Sequence, residues 1–291
     1  AEIMKKYEDV CLETKPDLVL VVGDVNSTLA CSIVAKKQNI KVAHVEAGLR
    51  SGDMTMPEEV NRIVTDSITD YYFVTEKSGV DNLLAEGKKK ENINFVGHVM
   101  IDNLFYQLNK LKSINPEELH TTKIKNKYNK YGVVTLHRPS NVDNKKTLED
   151  IISALSEISQ NLPLIFPVHP RTRNKLNEFN ITIPDTIELM EPLPYMEFLH
   201  LFKDAAVVLT DSGGIQEETT ALGIPCITLR DNTERPSTIT IGTNELVDYN
   251  FKAVAEKINQ IENGTFKKGA IPPFWDGKAT KRIVEVLRKE L

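Results

Sequence analysis

The chain has 291 residues, enough for two medium-sized domains, and its 41% hydrophobic and 26% charged residues are typical of a globular protein. A formal net charge of −5 argues against nucleic acid or an acidic membrane surface as the main partner. Three widely spaced cysteines, Cys11, Cys31 and Cys226, indicate neither a disulfide framework nor a zinc site. No apolar run has the length of a membrane span and no secretory signal opens the sequence, so we expect a cytoplasmic protein without a membrane partner.

Apolar runs and helix-like segments alternate through the first half of the chain. After a predicted helix at 3–14 comes a predicted strand at 17–22, whose residues after Asp17 are all apolar, as in parallel strands that are buried on both faces. The further elements predicted for this half are a helix at 27–38, strands at 41–45, 71–74 and 94–96, and a helix at 101–111. The Lys- and Asn-rich segment 112–130 is then predicted to cross between two domains.

The second half repeats this alternation. Its predicted strands lie at 131–136, 164–168, 206–209 and 225–229, and its predicted helices lie near 147–160, 194–203, 213–222, 251–262 and 278–290. Such alternation predicts parallel sheets flanked by helices. We therefore expect an α/β fold with two Rossmann-like domains. The N-terminal domain spans 1–111, the C-terminal domain spans 112–275, and a last helix within 276–291 could pack back on the N-terminal domain.

The strongest local signal is Asp-Ser-Gly-Gly-Ile-Gln-Glu-Glu at 211–218, which follows an apolar run and opens a predicted helix. The N–H groups at such a helix start favour an anion, and glycine lets a phosphate approach the backbone. Glu218, nearly two turns into the helix, could accept hydrogen bonds from ribose hydroxyls. A capped surface helix that begins with a tight turn is the structural alternative.

Other polar residues come directly after predicted strands, where ligands of open parallel sheets bind. Asp24 follows the first strand, and its structural alternative is a cap on the next helix. Glu46 lies between a buried strand and a glycine. Burial of a carboxylate in that position costs free energy unless a positive group or hydrogen-bond donor pairs with it, or unless it has a functional role.

Further candidates also have structural alternatives. Glu58 and Glu59 follow a proline and could simply favour a helix N-terminus. His169 could be an ordinary histidine at a strand end, and Arg235 could be a surface residue in a loop. Taken one at a time, these residues do not identify a function.

Taken together, the motifs resemble one family. They are GDVNST, HVEAGLRS, PEEVNR, LHRPSN, PVHPRT, DSGGIQEE and TERP, in this order over residues 23–236. The set resembles the non-hydrolysing UDP-N-acetylglucosamine 2-epimerases, which have the two-domain GT-B architecture. The resemblance implies an isomerase that interconverts UDP-GlcNAc and UDP-ManNAc through loss of the C2 proton, departure of UDP, a glycal intermediate and re-addition of UDP. It also implies a homodimer, neither metal nor redox cofactor, and a role in surface-polysaccharide or cell-wall precursor synthesis.

The resemblance also implies roles for individual residues. The chemistry needs an acid and a base on opposing faces of the sugar, and positive groups for the departing diphosphate. The implied catalytic residues are Asp24, Glu46, Glu58 and His169, and contact with the diphosphate is the alternative role for His169. The implied substrate-binding residues are Arg62, Ser212, Gly213, Gly214, Glu218 and Arg235. The sequence leaves open which carboxylate acts on which face of C2.

Three features depart from the family pattern. The spacer 51–56 is shorter than in many relatives, and LHRPSN differs from the commoner HRxEN form. Both variants resemble a branch that includes epimerases of UDP-2,3-diacetamido-glucuronic acid, so this sugar is an alternative substrate. The family's opening strand and Gly-Thr-Arg-Pro-Glu loop are not found, and we expect an incomplete N-terminal domain. A GT-B glycosyltransferase and a UDP-sugar binding module without catalysis are further alternatives.

Overall fold

The predicted alternation of strands and helices is present in the structure, a computed structural model that describes residues 1–248, 250 and 252–291. The first elements in chain order are α1 (Glu2–Thr14), β1 (Leu18–Val22), α2 (Asn26–Lys37), β2 (Lys41–Val45), α3 (Pro57–Ile68), β3 (Tyr71–Val74), α4 (Lys77–Ala85), β4 (Ile93–Phe95), α5 (Val99–Leu111) and α6 (His120–Lys127). The later elements are β5 (Gly132–Thr135), α7 (Pro139–Val142), α8 (Lys145–Ser159), β6 (Leu164–Pro167), α9 (Pro170–Glu178), β7 (Ile187–Met190), α10 (Tyr195–Phe202), β8 (Val207–Thr210), α11 (Gly213–Leu222), β9 (Cys226–Thr228), α12 (Pro236–Thr240), β10 (Asn244–Leu246), α13 (Lys252–Glu262) and α14 (Ala279–Glu290).

The chain divides into two compact units. Unit 1 contains Ala1–Asp102 and Pro273–Leu291, and unit 2 contains Asn103–Pro272. The first change of unit falls within α5, whereas the sequence pattern places it after this helix. The C-terminal helix α14 belongs to unit 1.

Segment 112–130 is a folded part of unit 2, and its interpretation as a crossing between domains is wrong. Helix α6 forms within it and contacts α10. The carboxylate of Glu197 on α10 accepts hydrogen bonds from the N–H groups of His120 and Thr121, over 2.9 and 3.1 Å. These N–H groups lie at the start of α6, where a helix has no internal acceptors for them. The lysine-rich sequence gives no indication of these hydrogen bonds, because their acceptor, Glu197, is more than 70 residues away in the chain.

In unit 1 the sheet is parallel with strand order β1-β2-β3-β4. The prediction that β1 is buried on both faces is wrong. Val19 and Val21 are buried beneath α1 and α2, whereas Leu20 and Val22 are 41% and 47% exposed. The reason is that β1 is the end strand of this sheet, and α1 and α2 cover only one of its faces.

The C-terminal segment is built into unit 1 by specific contacts. The indole of Trp275 is buried and donates a hydrogen bond to the carbonyl oxygen of Thr75 over 3.1 Å. The carboxylate of Asp102 accepts hydrogen bonds from the N–H groups of Ala279 and Thr280 at the start of α14. Ile283 then packs into the apolar cluster on β2 and β3. Capping and burial together stabilise this docked helix.

In unit 2 the sheet is parallel with strand order β10-β9-β8-β5-β6-β7. Strands β6 and β8 are buried along their whole length, which explains their continuous apolar sequences. Helix α8 packs Leu148, Ile151, Leu155 and Ile158 against this sheet in helical spacing. Burial of each such side chain stabilises the fold by about 1.5–3 kcal/mol.

Most of the predicted elements are confirmed. The predicted helix 251–262 corresponds to α13, and residue 251 lies outside the described residues. Among the elements that the pattern did not predict are β7, β10, α4 and α9. Within the described residues, no helix is both long enough and apolar enough to cross a membrane.

Candidate functional site

In unit 1, two of the predicted carboxylates follow the carboxyl ends of neighbouring strands. Asp24 lies in the turn after β1 and Glu46 in the turn after β2, and the two strands pair in parallel. The N–H of Gly23 donates to the carbonyl oxygen of Val45 over 3.0 Å, which joins the turns directly. A β-carbon built on Gly23 would lie 3.9 Å from Oε2 of Glu46. The structure therefore brings the Glu46 carboxylate beside the turn that carries Asp24.

The backbone fixes the position of Glu46. Its φ of 72° lies in the left-handed region. The N–H groups of Glu46 and Ala47 both donate to the carbonyl oxygen of Phe73 on β3, over 3.0 and 3.2 Å. Holding a residue other than glycine in this region costs about 1–3 kcal/mol and is typical of functional sites. The surrounding hydrogen bonds thus hold this half-buried carboxylate in one place.

Asp24 forms an ion pair and does not cap the next helix. The N-cap of α2 is Val25, and no side chain caps that helix. The Asp24 carboxylate instead accepts a hydrogen bond from Nη1 of Arg62 on α3. The main-chain oxygen of Asp24 also accepts a hydrogen bond from Nδ2 of Asn61 over 2.8 Å. Helix α3 therefore positions Asp24 through two side chains.

Arg62 was predicted to bind substrate, and the structure places it between carboxylates of the protein. Its side chain is only 2% exposed. It pairs with Asp24 and, over 2.9 Å, with Glu59. Two negative groups thus balance its charge inside unit 1, and its direct effect is on the position of Asp24.

Glu58 and Glu59 are neighbours in the first turn of α3 but have different environments. Glu59 is buried and accepts hydrogen bonds from the N–H groups of Ser51 and Gly52, over 3.0 and 2.9 Å. Burial opposes its ionisation, but these hydrogen bonds and the Arg62 charge outweigh burial and lower the pKa of Glu59. Glu58 is half-buried and makes no hydrogen bond or ion pair within the described part of the chain. Glu59 is therefore structural, whereas Glu58 has a carboxylate available for a ligand.

In unit 2, the predicted anion site lies at the start of α11, directly after β8. The N-cap is Ser212, and no side chain makes a capping hydrogen bond to this helix. Residues 216–221 are buried, so α11 is not the capped surface helix considered as an alternative. The first N–H groups of the helix, at Gly213 and Gly214, have no acceptor within it. Such groups can bind a phosphate together with the helix dipole.

Arg235 lies against this helix start. Its Nε pairs with Glu217 over 2.7 Å, and its Nη1 pairs with Glu234. A β-carbon built on Gly213 would lie 2.8 Å from Nη1, so a larger residue here would displace the guanidinium from this position. Burial opposes the ionisation of Glu234, but the charges of Arg235 and Arg230 outweigh burial and lower its pKa to about 2. Glu234 is thus anionic at neutral pH and holds Arg235 at the helix start.

His169 lies at the start of α9 and caps that helix. Its Nδ1 accepts a hydrogen bond from the N–H of Arg171 over 3.2 Å. Because Nδ1 is the acceptor, the network assigns the proton of the neutral ring to Nε2. The ring is exposed, so Nε2–H is available as a donor to a ligand oxygen.

His137 and Asp211 form a pair that the sequence pattern did not identify. The ring of His137 lies 5.7 Å from that of His169, measured between centroids. Its Nδ1 lies 2.9 Å from Oδ1 of buried Asp211. Burial opposes ionisation of Asp211, but the hydrogen bond and charge of His137 outweigh burial and lower the pKa of Asp211. Both residues lie in quoted motifs, yet motif spacing gives no sign that the ends of β5 and β8 meet. Among the described residues, no group of three His, Cys, Asp or Glu side chains could hold a metal ion.

Glu218, the predicted ribose acceptor, is buried on α11. One of its carboxylate oxygens accepts a hydrogen bond from the hydroxyl of Tyr195 over 2.7 Å. Burial and the charge of Glu218 both raise the pKa of Tyr195. The tyrosine therefore remains a neutral donor and orients the carboxylate. The sequence pattern gave no indication of this partner, which lies on α10.

Sequence comparison links the whole chain to proteins of known activity. A sequence model of the family described as UDP-N-acetylglucosamine 2-epimerase matches residues 1–288. The UDP-N-acetylglucosamine 2-epimerase of Methanocaldococcus jannaschii is 42% identical over an alignment of 293 positions. The match covers 98% of this chain and 79% of that protein. The UDP-2,3-diacetamido-2,3-dideoxy-D-glucuronate 2-epimerase of Pseudomonas aeruginosa is 37% identical over 290 residues, which cover 99% of this chain and 79% of that protein.

Comparison with solved structures gives the same result. The crystal structure of the Methanocaldococcus jannaschii UDP-GlcNAc 2-epimerase in complex with UDP-GlcNAc and UDP matches with a TM-score of 0.87 at 41% identity, over 99% of this chain and 80% of that one. The Neisseria meningitidis UDP-GlcNAc 2-epimerase bound to UDP-GlcNAc also has a TM-score of 0.87, at 31% identity, with the same coverage. The predicted fold class, an α/β fold with two parallel sheets of the GT-B type, is confirmed.

Proposed function

The chain belongs to the family of UDP-N-acetylglucosamine 2-epimerases, and we propose that it interconverts UDP-GlcNAc and UDP-ManNAc. The observation that carries this proposal is the placement of Asp24 and Glu46 beside each other at the ends of β1 and β2. Inversion at C2 needs one group that removes a proton and another that returns a proton to the opposite face. Neighbouring carboxylates in different environments can supply both.

The proposed reaction has two balanced steps. A carboxylate removes the C2 proton, a double bond forms between C1 and C2, and the bond from C1 to the diphosphate oxygen breaks with its electron pair leaving on UDP. UDP then adds back to C1 of the glycal while C2 receives a proton on the other face. Since nothing is oxidised or reduced overall, the reaction needs no redox cofactor. The chain must instead move protons and stabilise the charge on UDP.

Asp24, Glu46 and Glu58 are the proposed proton-transfer groups. The carboxylate of Asp24 is held in position by its ion pair with Arg62. Glu58 has a half-buried carboxylate without a partner in the described structure. Its neighbour Glu59 does not take part, because backbone N–H groups and Arg62 already occupy its oxygens.

The proposed nucleotide site lies in unit 2. The diphosphate binds to the N–H groups of Gly213 and Gly214 and to the hydroxyl of Ser212, whose own N–H donates to Oγ1 of Thr210 over 2.9 Å. Arg235 and the Nε2–H of His169 supply further donors. Glu218 accepts hydrogen bonds from the ribose hydroxyls. Its orientation by Tyr195 supports this role, because a fixed carboxylate loses little freedom when the ligand binds.

Incubation with UDP-GlcNAc in deuterated water tests the proposal. We expect UDP-ManNAc to form and deuterium to appear at C2 of the recovered nucleotide sugars. A glycosyltransferase would leave the C2 hydrogen in place, and a UDP-sugar binding module would bind UDP in calorimetry without exchange. Either outcome would overturn the proposed reaction.

The identity of the sugar needs a separate comparison. The 37% identity to the Pseudomonas aeruginosa enzyme supports UDP-2,3-diacetamido-glucuronic acid as the second candidate substrate. The two nucleotide sugars can be assayed side by side for kcat/KM. We expect a higher kcat/KM for UDP-GlcNAc. A higher kcat/KM for the diacetamido sugar would show that this sugar is the preferred substrate. The proposal also includes a homodimer, which rests on family membership and can be tested by light scattering.

A further inference from the structure

His44 on β2 lies in a buried polar network that joins the segments carrying the proposed carboxylates. Its ring Nδ1 lies 2.7 Å from Oδ1 of Asp66 on α3, and its Nε2 lies 2.9 Å from the carbonyl oxygen of Gly23. The side chains of His44 and Asp66 are both 0% exposed. One imidazole ring therefore connects the turn that carries Asp24 to the helix whose first turn carries Glu58.

The second oxygen of Asp66 holds the turn after β2. Oδ2 accepts a hydrogen bond from the N–H of Gly48 over 3.0 Å and pairs with Nη1 of Arg50 over 2.8 Å. Glu46 lies two residues before Gly48, so its turn is tied to the same carboxylate. The network thus connects all three segments on which the proposed proton-transfer groups lie.

The partners of His44 determine its protonation state. The carbonyl oxygen of Gly23 has no proton to give, so Nε2 of the ring must carry a hydrogen. The hydrogen between Nδ1 and Asp66 could belong to either group. The Gly48 N–H and the Arg50 guanidinium both point at Asp66 and favour its ionised form. Nδ1 therefore also carries a hydrogen, and the ring is an imidazolium.

The electrostatics of the site agree with this assignment. Burial opposes a charged ring, but the hydrogen bond and charge of Asp66 outweigh burial and raise the pKa of His44. The charged and titratable groups around the ring are Asp66 from α3, Glu46 and Arg50 from the segment after β2, and Tyr72 opposite it on β3. Burial, followed by the charge of Asp66, raises the pKa of Tyr72 to about 12, so this phenol stays neutral.

We propose that His44 is a positioning residue for the epimerisation, whose two N–H groups hold the Gly23 peptide to Asp66 and thereby set Asp24 relative to Glu46. This inference rests on the proposed function, because it assigns His44 a task in that reaction. With Asp66 ionised, a neutral ring has only one N–H for two acceptors, so one of the two contacts would place acceptor against acceptor. The turn after β1 would then be released, and Asp24 would lose its place beside Glu46.

The protonation state can be measured without any activity assay. In the full chain with ¹⁵N-labelled histidine, the six histidines give separate ring signals, and the His44→Gln variant assigns the signal of His44. We expect both ring nitrogens of His44 to carry hydrogens from pH 6 to pH 8. A ring with one hydrogen at pH 7 would overturn the proposal, whether or not the chain is an epimerase.

Kinetics of His44→Gln test the positioning role. A glutamine amide cannot donate in two opposite directions, so we expect kcat for C2 exchange to fall at least 10-fold. KM should change less than about 3-fold, because the nucleotide groups lie in unit 2. Val34→Ala is the matched control, since Val34 is buried in the unit 1 core away from this network. The control should lower Tm by a comparable amount and leave kcat unchanged.

A second variant covers the case in which His44→Gln fails to fold. Asp66→Asn keeps the shape of the partner but removes the charge that keeps the second ring hydrogen. The asparagine amide can donate from Nδ2 to Nδ1 of a neutral ring and accept the Gly48 N–H at Oδ1, so we expect the His44 ring of this variant to carry one hydrogen at pH 7 while kcat stays close to that of the wild type. Two ring hydrogens on His44 in Asp66→Asn would contradict the assignment of the imidazolium to the Asp66 charge, and unchanged kcat in His44→Gln would show a merely structural role. Lack of exchange in the wild type would instead overturn the proposed function.

Discussion

Gly213 and Arg235 are in such close contact that a side chain at the glycine would displace the guanidinium. A β-carbon on Gly213 would lie 2.8 Å from Nη1 and 3.0 Å from Cζ of the guanidinium, and 3.1 Å from Oε1 of Glu234. The sequence pattern explained this glycine by the approach of a phosphate to the backbone. The structure adds a second reason, because the same glycine lets a protein cation lie against the helix start. One residue thus determines both the free N–H groups and the position of the positive charge.

The variant Gly213→Ala should therefore weaken UDP binding. Overpacking of this kind costs about 1–3 kcal/mol, and displacement of Arg235 adds to that cost. We expect the Kd for UDP to rise about 10-fold or more, measured by calorimetry. The matched control is Gly132→Ala on β5, whose β-carbon would lie 2.8 Å from the Leu164 side chain in the core of the same unit. The control should lower Tm and keep its UDP affinity, and equal loss of affinity in both variants would contradict the role given to Gly213.

The hydrogen bond between Tyr195 and Glu218 leads to a graded prediction. Glu218→Gln removes a charged acceptor worth about 1.5–3 kcal/mol, so the Kd for UDP should rise roughly 10- to 150-fold. Tyr195→Phe removes only the hydroxyl that orients the carboxylate, and a loss of about 0.5–1.5 kcal/mol is expected. Tyr131→Phe is the control, because the Tyr131 hydroxyl donates to the carbonyl oxygen of Leu201 within unit 2. If Tyr195→Phe weakens binding more than Glu218→Gln, the ribose contact has been assigned to the wrong residue.

A substitution of Asp24, which pairs with Arg62 in unit 1, should affect catalysis and leave nucleotide binding unchanged. Asp24→Asn preserves the shape of the side chain but removes its charge and its capacity as a base. We expect C2 exchange to fall at least about 100-fold, the scale of a lost acid–base group, while the Kd for UDP changes less than 2-fold. Asp81→Asn, on the exposed side of α4 in the same unit, should behave like the wild type. Loss of UDP affinity in Asp24→Asn would show that Asp24 belongs to the nucleotide site.

The sequence predicted the strands of the two sheets well where burial makes them continuously apolar. Strands β6 and β8 are buried throughout and are easily recognised. By contrast, β7 and β10 are end strands that contain glutamate or asparagine, so their apolar pattern is weak. Their pairing is set by neighbours that are distant in the chain, and local periodicity contains no such information.

The motifs identify the candidate residues but do not show which of them contact a ligand and which are structural. Glu58 and Glu59 are adjacent and chemically identical, yet only Glu59 is bound by backbone N–H groups and Arg62. The difference follows from the rotation of α3, which turns one carboxylate inward and leaves its neighbour half exposed. In the same way, Arg62 resembles a substrate-binding cation in sequence, although two carboxylates of unit 1 balance its charge. Such distinctions require the three-dimensional partners of each group.

The depressed pKa of Glu234 predicts how the anion site responds to acid. Its value falls from 4.5 to about 2 in the folded state, because the charges of Arg235 and Arg230 outweigh the opposing effect of burial. The unfolded chain therefore binds this proton more readily than the folded one. The contribution of Glu234 to stability is complete at pH values well above the unfolded value and decreases as the pH falls toward the folded value. By linkage it amounts to about 3 kcal/mol, of which about 1 kcal/mol is lost by pH 3.5.

Hydrogen exchange of the α11 amides can measure this contribution, after correction for the intrinsic exchange rate at each pH. The free energy of opening in wild type should exceed that in Glu234→Gln at pH 6, and the difference should shrink by about 1 kcal/mol at pH 3.5. Glu178→Gln serves as the control, because Glu178 is exposed at the end of α9 in the same unit. Its difference from the wild type should stay constant over this pH range. A constant difference for Glu234→Gln would mean that Arg235 does not depend on the Glu234 charge, and the ion-pair account of the anion site would be wrong.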